Sequence, residues 1–331
     1  MFRIAIFLLC LLTMPQMAQA RCEGRNLLEA LPPAERAQIE ATIDAVPFGR
    51  GNRWVARRGD SVIHIVGTYH LDDPRHDPVA KRLEAVIPVV RTVLVEAGPQ
   101  EEARLKADMA RDPSLMFVTD GPTLPERLSE DDWRLLSSAM QARGIPAFLV
   151  SKMQPWYVSM LLGIPSCAIQ DMTAGTVKGL DGRIIEMAGA AGVPIRALEP
   201  HDTIFRLFAQ MDEAEKLDML RVTLALDAQA EDYARTLADT YFAENVRAAW
   251  ELGKRAVQSV TGDPRARVED EFARMEEILM NQRNRAWIDV IEQAAMEGPT
   301  LVAFGALHLS GEQGVLNLMT LRGWQVERVP F

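Results

Sequence analysis

Residues 61–73 read SVIHIVGTYHLDD, and the way this stretch is divided decides the fold. An apolar, β-branched run breaks at Gly67 and leaves His70 just beyond its end, the pattern of a strand running out into a loop. Residues 301–309, LVAFGALHL, repeat the arrangement with the break at Gly305 and the histidine at His308. Each reads strand, Gly-x-x-His, Leu, and together they use two of the five histidines in the chain. One Gly-x-x-His is a weak pattern; its return near the opposite terminus, again after an apolar strand, gives it weight. Glycine ahead of each histidine is expected to permit a sharp turn and a close approach of backbone or ligand.

Upstream of this stretch, residues 54–57 and 62–66 flank Gly59-Asp60, a two-residue turn of the kind that closes hairpins. His64 shares a strand face with Val62 and Val66 and reads as a packed core residue. Downstream, a helix over 78–91 leads to a β-branched run at 92–95 ending in Glu96-Ala97-Gly98-Pro99. Strand, helix and strand form a βαβ unit with parallel strands, and a right-handed crossover is expected to set the second strand's end beside the first. Glu96 then reaches the same edge as His70.

Helices are expected over 27–46, 101–111, 130–143 and 180–191, and a third strand over 147–150. Gln154-Pro155-Trp156-Tyr157 reads as a loop of exposed-aromatic character, with Trp156 either lining a pocket or simply packed. A further strand over 193–198 ends in Glu199-Pro200-His201, a second strand-end carboxylate. Residues 212–296 are almost wholly helical in pattern with one break at Gly262-Asp263-Pro264 and no sustained heptad, which predicts a helical insertion packed over the sheet. A final strand, helix and strand over 300–304, 311–322 and 324–329 close an α/β fold. Its central sheet is mostly parallel and flanked by helices, in a single domain over 21–331.

Residues 1–20 have the layout of a secretory leader, with Arg3 ahead of an apolar core at 4–12 and Ala18-Gln19-Ala20 as cleavage site. The expected product is periplasmic or secreted, without a membrane anchor; Arg21 before Cys22 does not suit lipid attachment. Formal net charge of −10 over 331 residues argues against nucleic acid or anionic membrane as partner. Cys10 leaves with the leader, so Cys22 and Cys167 remain, most simply as one disulfide in an oxidising compartment, with free buried thiols the alternative.

Parallel sheets bind ligands at the carboxyl ends of their strands, where His70, Glu96, Glu199 and His308 all fall. Two imidazoles and a carboxylate match the ligand set of a catalytic zinc-type site with room for water; the plainer reading is that strand-end histidines cap backbone carbonyls. No His-Glu-x-x-His and no Gly-x-Ser-x-Gly is present.

The elements VGTYHL at 66–71, Glu96, Gly179-Leu180-Asp181, Leu198-Glu199, Gln282-Arg283-Asn284 and FGALHLSG at 304–311, in this order, resemble the TraB/GumN family, related to the Tiki proteases. The resemblance spans essentially the whole mature chain. It implies an α/β fold akin to the erythromycin esterase and ChaN-like group. It also implies an active site of His70, His308 and Glu96, which would hold a divalent ion such as Mn²⁺, Co²⁺ or Zn²⁺ in a metal-dependent peptidase. By the same resemblance Arg283 and Asn284 belong to a substrate-binding pair, Arg283 holding a carboxylate or an oxyanion or forming a helix-face salt bridge. Glu199 is a further ligand, a base or a partner orienting a histidine. Asp181 reads as a helix cap, and Arg75 is the pocket member expected from the charged loop. The expected activity is hydrolysis of a peptide or small molecule. The alternatives are a periplasmic protein that captures such a ligand without turnover and, third, a haem binder suggested by the ChaN-like kinship.

Overall fold

In the computed structural model, which describes residues 24–173 and 178–331, Gly59 takes a left-handed conformation (φ 56°) and turns Arg53–Arg58 (β1) back on Ser61–Thr68 (β2). The remaining strands are Thr92–Val95 (β3), Ile195–Ala197 (β4), Thr300–Gly305 (β5) and Gln325–Arg328 (β6). They form one sheet in the order β4-β3-β5-β2-β1-β6. The pairs β2/β5, β3/β5 and β3/β4 are parallel, and β1 runs antiparallel to both its neighbours.

This order corrects the expectation that β3 lies beside β2. The C-terminal strand β5 separates them, and its first five residues are fully buried, as a strand covered on both faces should be. Side chains alternate between the two faces accordingly. Ile63, Ile65, Leu94, Val302 and Phe304 pack with Trp287, Ile288 and Ile291 of helix Gln282–Glu297. Val66, Val93, Val95, Leu301 and Ala303 pack with Leu83 of helix His76–Leu83 and with Leu180, Ile184 and Ala188 of helix Leu180–Ala190. Truncating one of these central side chains to Ala is expected to cost ~2–5 kcal/mol.

Four local expectations change. Residues 147–150 are a short helix, Ala147–Val150, opened by Pro146; an apolar run of that length does not by itself distinguish helix from strand. Its Val150 is buried among Leu136, Met140 and Leu220 of the helical layer. Trp156 is not an exposed loop aromatic: Pro155 starts helix Pro155–Leu162, and the indole is buried and stacked on Phe208 at 4.8 Å. The helix expected over 78–91 ends at Leu83, and Pro88 sits in a separate 3₁₀ turn, Ile87–Val89, because proline has no amide to extend an α-helix. The helical block breaks more often than at Gly262 alone, giving Glu213–Leu226, Ala230–Phe242, Arg247–Thr261 and Arg265–Glu276. A π turn, Glu277–Asn281, joins the last of these to Gln282–Glu297.

No helix among the described residues is long and apolar enough to cross a membrane. The expected leader at 1–20 and Cys22 of the expected Cys22–Cys167 disulfide lie outside the described residues.

Candidate functional site

Register places the chemistry. Thr68 of β2 pairs with Gly305 of β5, and Val95 of β3 pairs with Ala303, so the three strands end together and release His70, Glu96 and the turn Ala306–His308 at one edge. Gly67 is required there for room rather than for its backbone angles: a Cβ on it would stand 2.6 Å from Leu309 Cδ1 and 2.9 Å from Ala306 Cα. Gly179 plays the same part on the other side, where a Cβ would fall 2.3 Å from the Tyr69 carbonyl oxygen. Helix Leu180–Ala190 therefore begins directly on the His70 backbone, with the Leu180 amide donating to the Tyr69 carbonyl at 3.0 Å.

That packing overturns the reading of Asp181 as a cap. Gly179 holds the N-cap position, and Asp181 lies in the first turn with Oδ1 at 3.4 Å from His70 Nδ1. Among the described residues this buried oxygen has no hydrogen-bond donor at conventional distance, and the His70 imidazole is the titratable group it faces. The signal is the Gly-Leu-Asp element, in which the cap falls on the glycine and leaves the carboxylate free for the histidine.

Arg283 organises the rest. Its Nε and Nη2 donate to the two oxygens of Glu199 at 2.8 and 2.7 Å, and Nη2 also donates to Glu96 Oε2. Nη1 donates to the carbonyl of Leu279, inside the π turn, and to His308 Nε2, both at 3.2 Å. Trp287 Nε1 completes Glu199 at 3.1 Å, and the Gly305 amide donates to Glu96 Oε1 at 2.6 Å. Asn284 fixes the tautomer of His308. Its amide nitrogen donates to the Gln313 carbonyl at 2.9 Å, so its Oδ1 faces His308 Nδ1 at 2.6 Å and accepts that proton. The lone pair of His308 therefore sits on Nε2.

The two histidines carry opposite charge states. Burial drives His308 down to about 3, with the Arg283 guanidinium adding to the effect, so it is neutral. For His70, desolvation by its neighbours acts against charge, but the carboxylates of Asp181 and Glu96 prevail and raise it to about 9. For Glu96, burial pushes upward and is overcome by the adjoining imidazoles, Arg283 and the Gly305 amide, which hold the carboxyl at about 2. Burial wins at Glu199, raising its pKa in spite of Arg283.

A point one Cβ bond from Gly305 lies 3.4 Å from Glu96 Oε1, 3.5 Å from His70 Nε2 and 3.7 Å from His308 Cδ2. The absence of a side chain at Gly305 thus leaves a gap bounded by all three groups. His70, Glu96, Glu199, Asn284, Arg283 and His308 are brought together. Arg75 is placed elsewhere: it bonds Asp73 and Asp239 and lies over the Phe242 ring at 4.3 Å. His64 stays in the sheet opposite Val55 and Leu301, and His201 pairs with Asp108 at 2.7 Å.

The donor chemistry suits a divalent ion. Each imidazole has Nδ1 facing a side-chain oxygen, the arrangement that orients histidine ligands, which leaves Nε2 of each on the side of Glu96, that of His308 accepting from Arg283. Arg283 bonds Glu96 Oε2 and His308 Nε2, so an ion and the guanidinium claim the same two atoms. Among the described residues no three His, Cys, Asp or Glu side chains stand ready-spaced for an ion. The residues fit by type and orientation, with Arg283 as the group to be displaced.

The profile of the TraB/PrgY/gumN family matches residues 52–328, and the chain belongs to that family. It is similar to the uncharacterized protein YbaP of Escherichia coli (strain K12), 24% identical over 270 residues that cover 80% of this chain and 92% of the relative. The YbaP of Shigella flexneri has the same identity and coverage. No solved structure matches.

Proposed function

We propose that this TraB/PrgY/gumN protein is an exported, metal-dependent hydrolase of peptide-like amide bonds. One observation carries the reading: two histidines from opposite ends of the chain, each held through Nδ1, border the same gap as the buried carboxylate of Glu96. His70, Glu96 and His308 would hold the ion, which would supply an acidified water and polarisation of a carbonyl.

The chain's own groups have separate tasks. Asn284 keeps the His308 lone pair on Nε2, and Asp181 orients His70. Glu96 stays ionised down to acid pH and takes no proton at neutrality. Arg283, steadied by Glu199 and Trp287, would turn the N–H groups it now spends on Glu96 and His308 toward the oxyanion that develops at the substrate carbonyl. Gly305 leaves the space in which that carbonyl sits. Without an ion His70 carries a proton, so ion binding releases one.

The test uses protein stripped with a chelator, reloaded singly with Mn²⁺, Co²⁺ or Zn²⁺ and assayed on internally quenched peptides. Turnover is expected with at least one ion and a loss of at least ~10²-fold in His308→Ala and Glu96→Gln. If no ion supports turnover and His308→Ala binds peptide as the parent does, the protein is instead a ligand-capture protein, a role that the near-complete pairing of Arg283 with Glu96 and Glu199 favours. Export and the Cys22–Cys167 disulfide belong to the same proposal and are checked by N-terminal sequencing of the purified protein and non-reducing peptide mapping.

A further inference from the structure

A cavity of about 350 Å³ opens beside the histidines, within the size range of ligand pockets. Its wall includes Tyr69 and Leu71, the neighbours of His70, and Leu307, the neighbour of His308. The rest comes from the helical block, with Leu226, Tyr233, Trp250, Val257 and Phe272 supplying a mainly hydrocarbon and aromatic surface. Among the described residues, Asp227 is the one charged residue on the wall, and Arg143 neutralises it from behind at 2.6 Å. The Thr223 hydroxyl donates to the Met219 carbonyl at 2.8 Å. Trp250 meets Phe272 edge-on at 5.1 Å, and its buried Nε1 has no hydrogen-bond partner among the described residues.

We infer that this cavity is the specificity subsite of the proposed hydrolase, taking a large aromatic or branched aliphatic side chain next to the amide that enters the gap at Gly305. The inference rests on the hydrolase reading for the word amide, and on the cavity for the rest. The walls give an apolar group desolvation without asking it to pair with charge, whereas a Lys or Asp side chain entering there would lose its hydration with no partner. Continuity of the wall with the residues flanking His70 and His308 places that group next to the chemistry.

Gly253 provides the test. It lies on the cavity wall in helix Arg247–Thr261, and a Cβ there would make ordinary contact, 3.6 Å, with the Phe272 ring. Leucine is also a better helix former than glycine, so Gly253→Leu fills the cavity in a folded protein, with Gly253→Ala as the milder control and circular dichroism confirming the fold of both. Binding of the neutral apolar dye N-phenyl-1-naphthylamine is measured by fluorescence, and then its displacement with blocked peptides bearing Phe, Leu, Lys or Asp. The expected result is dye binding to the parent, at least tenfold weaker binding to Gly253→Leu, displacement by Phe and Leu peptides only, and unchanged ion binding in the variant. Equal dye binding by parent and Gly253→Leu, or equal displacement by charged and apolar peptides, overturns the inference. Displacement by Phe and Leu peptides that are never cleaved removes the hydrolase reading and leaves the subsite standing. Cleavage without side-chain preference does the reverse.

Discussion

His70 and His308 issue from the same five-residue pattern, yet one is 62% exposed at its side chain beside a carboxylate and the other is buried between an amide and a guanidinium. Their charge states part as a result, with His70 protonated and His308 neutral at pH 7. Similar pattern fixes position at the strand ends; the neighbour that faces each Nδ1 and Nε2 fixes chemistry. A pair of titratable groups driven apart in this way is how one site supplies both a proton-bearing and a lone-pair-bearing nitrogen.

The contrast can be broken most forcefully at Arg283. Arg283→Leu leaves two largely buried carboxylates, Glu96 and Glu199, facing one another without their cation, and is expected to cost ~3–5 kcal/mol in urea denaturation. Combining it with Glu199→Gln should recover part of that loss, because one of the unpaired charges goes too. Removing the Asn284 acceptor comes next. Asn284→Leu frees His308 to exchange tautomers, and turnover or ion affinity is expected to fall ~10–100-fold, while an unchanged affinity would divorce Asn284 from the site.

Acid and base should act on different histidines. Glu96 contributes stability above its unfolded value near 4.5 that is lost as pH falls toward 2, and buried neutral His308 penalises the fold below about 6.5. His70 gives the opposite limb: its contribution is complete below about 6.5 and is lost as pH rises toward 9. Asp181→Asn should lower the His70 pKa in an NMR titration of its ring proton and remove the alkaline limb of the stability profile while leaving the acid limb in place. The smallest effect is expected at Arg75, whose half-exposed ion pairs stand apart from the cluster. Arg75→Ala should change stability by no more than ~1 kcal/mol and leave turnover as it was.

Much of this site is legible in the residues alone. The apolar runs ending in Gly-x-x-His define β2 and β5, and the strand-end carboxylates Glu96 and Glu199 and the pair Arg283-Asn284, singled out from the residues, are neighbours in the fold. Spatial strand order is less legible, since nothing in residues 61–99 tells that a strand near the C-terminus will enter between β2 and β3. Asp181 is hard to place because a cap and a first-turn carboxylate differ by one or two positions, and the deciding fact, the approach of Gly179 to the His70 backbone, is tertiary. Residues 147–150 are ambiguous because four apolar side chains suit either a strand or a helix. The cavity is invisible for a similar reason, its walls being drawn from helices far apart in sequence.

The π turn at Glu277–Asn281 sets the angle at which Arg283 meets the strand ends. Such turns hold more residues than an α turn of the same rise, and each residue removed rotates the downstream part of the helix by about 100°. Deleting Met280 would let the helix wind regularly from Arg265 onward, yet Arg283 and Asn284 would then swing off the strand ends while every apolar contact of Trp287 and Ile291 was dragged with them. The helix thus carries a phase offset that sets the apolar face of Trp287 and Ile291 and the guanidinium of Arg283 together. A chain shortened at Met280 is therefore expected to lose core packing and the guanidinium between Glu96 and Glu199 in one step.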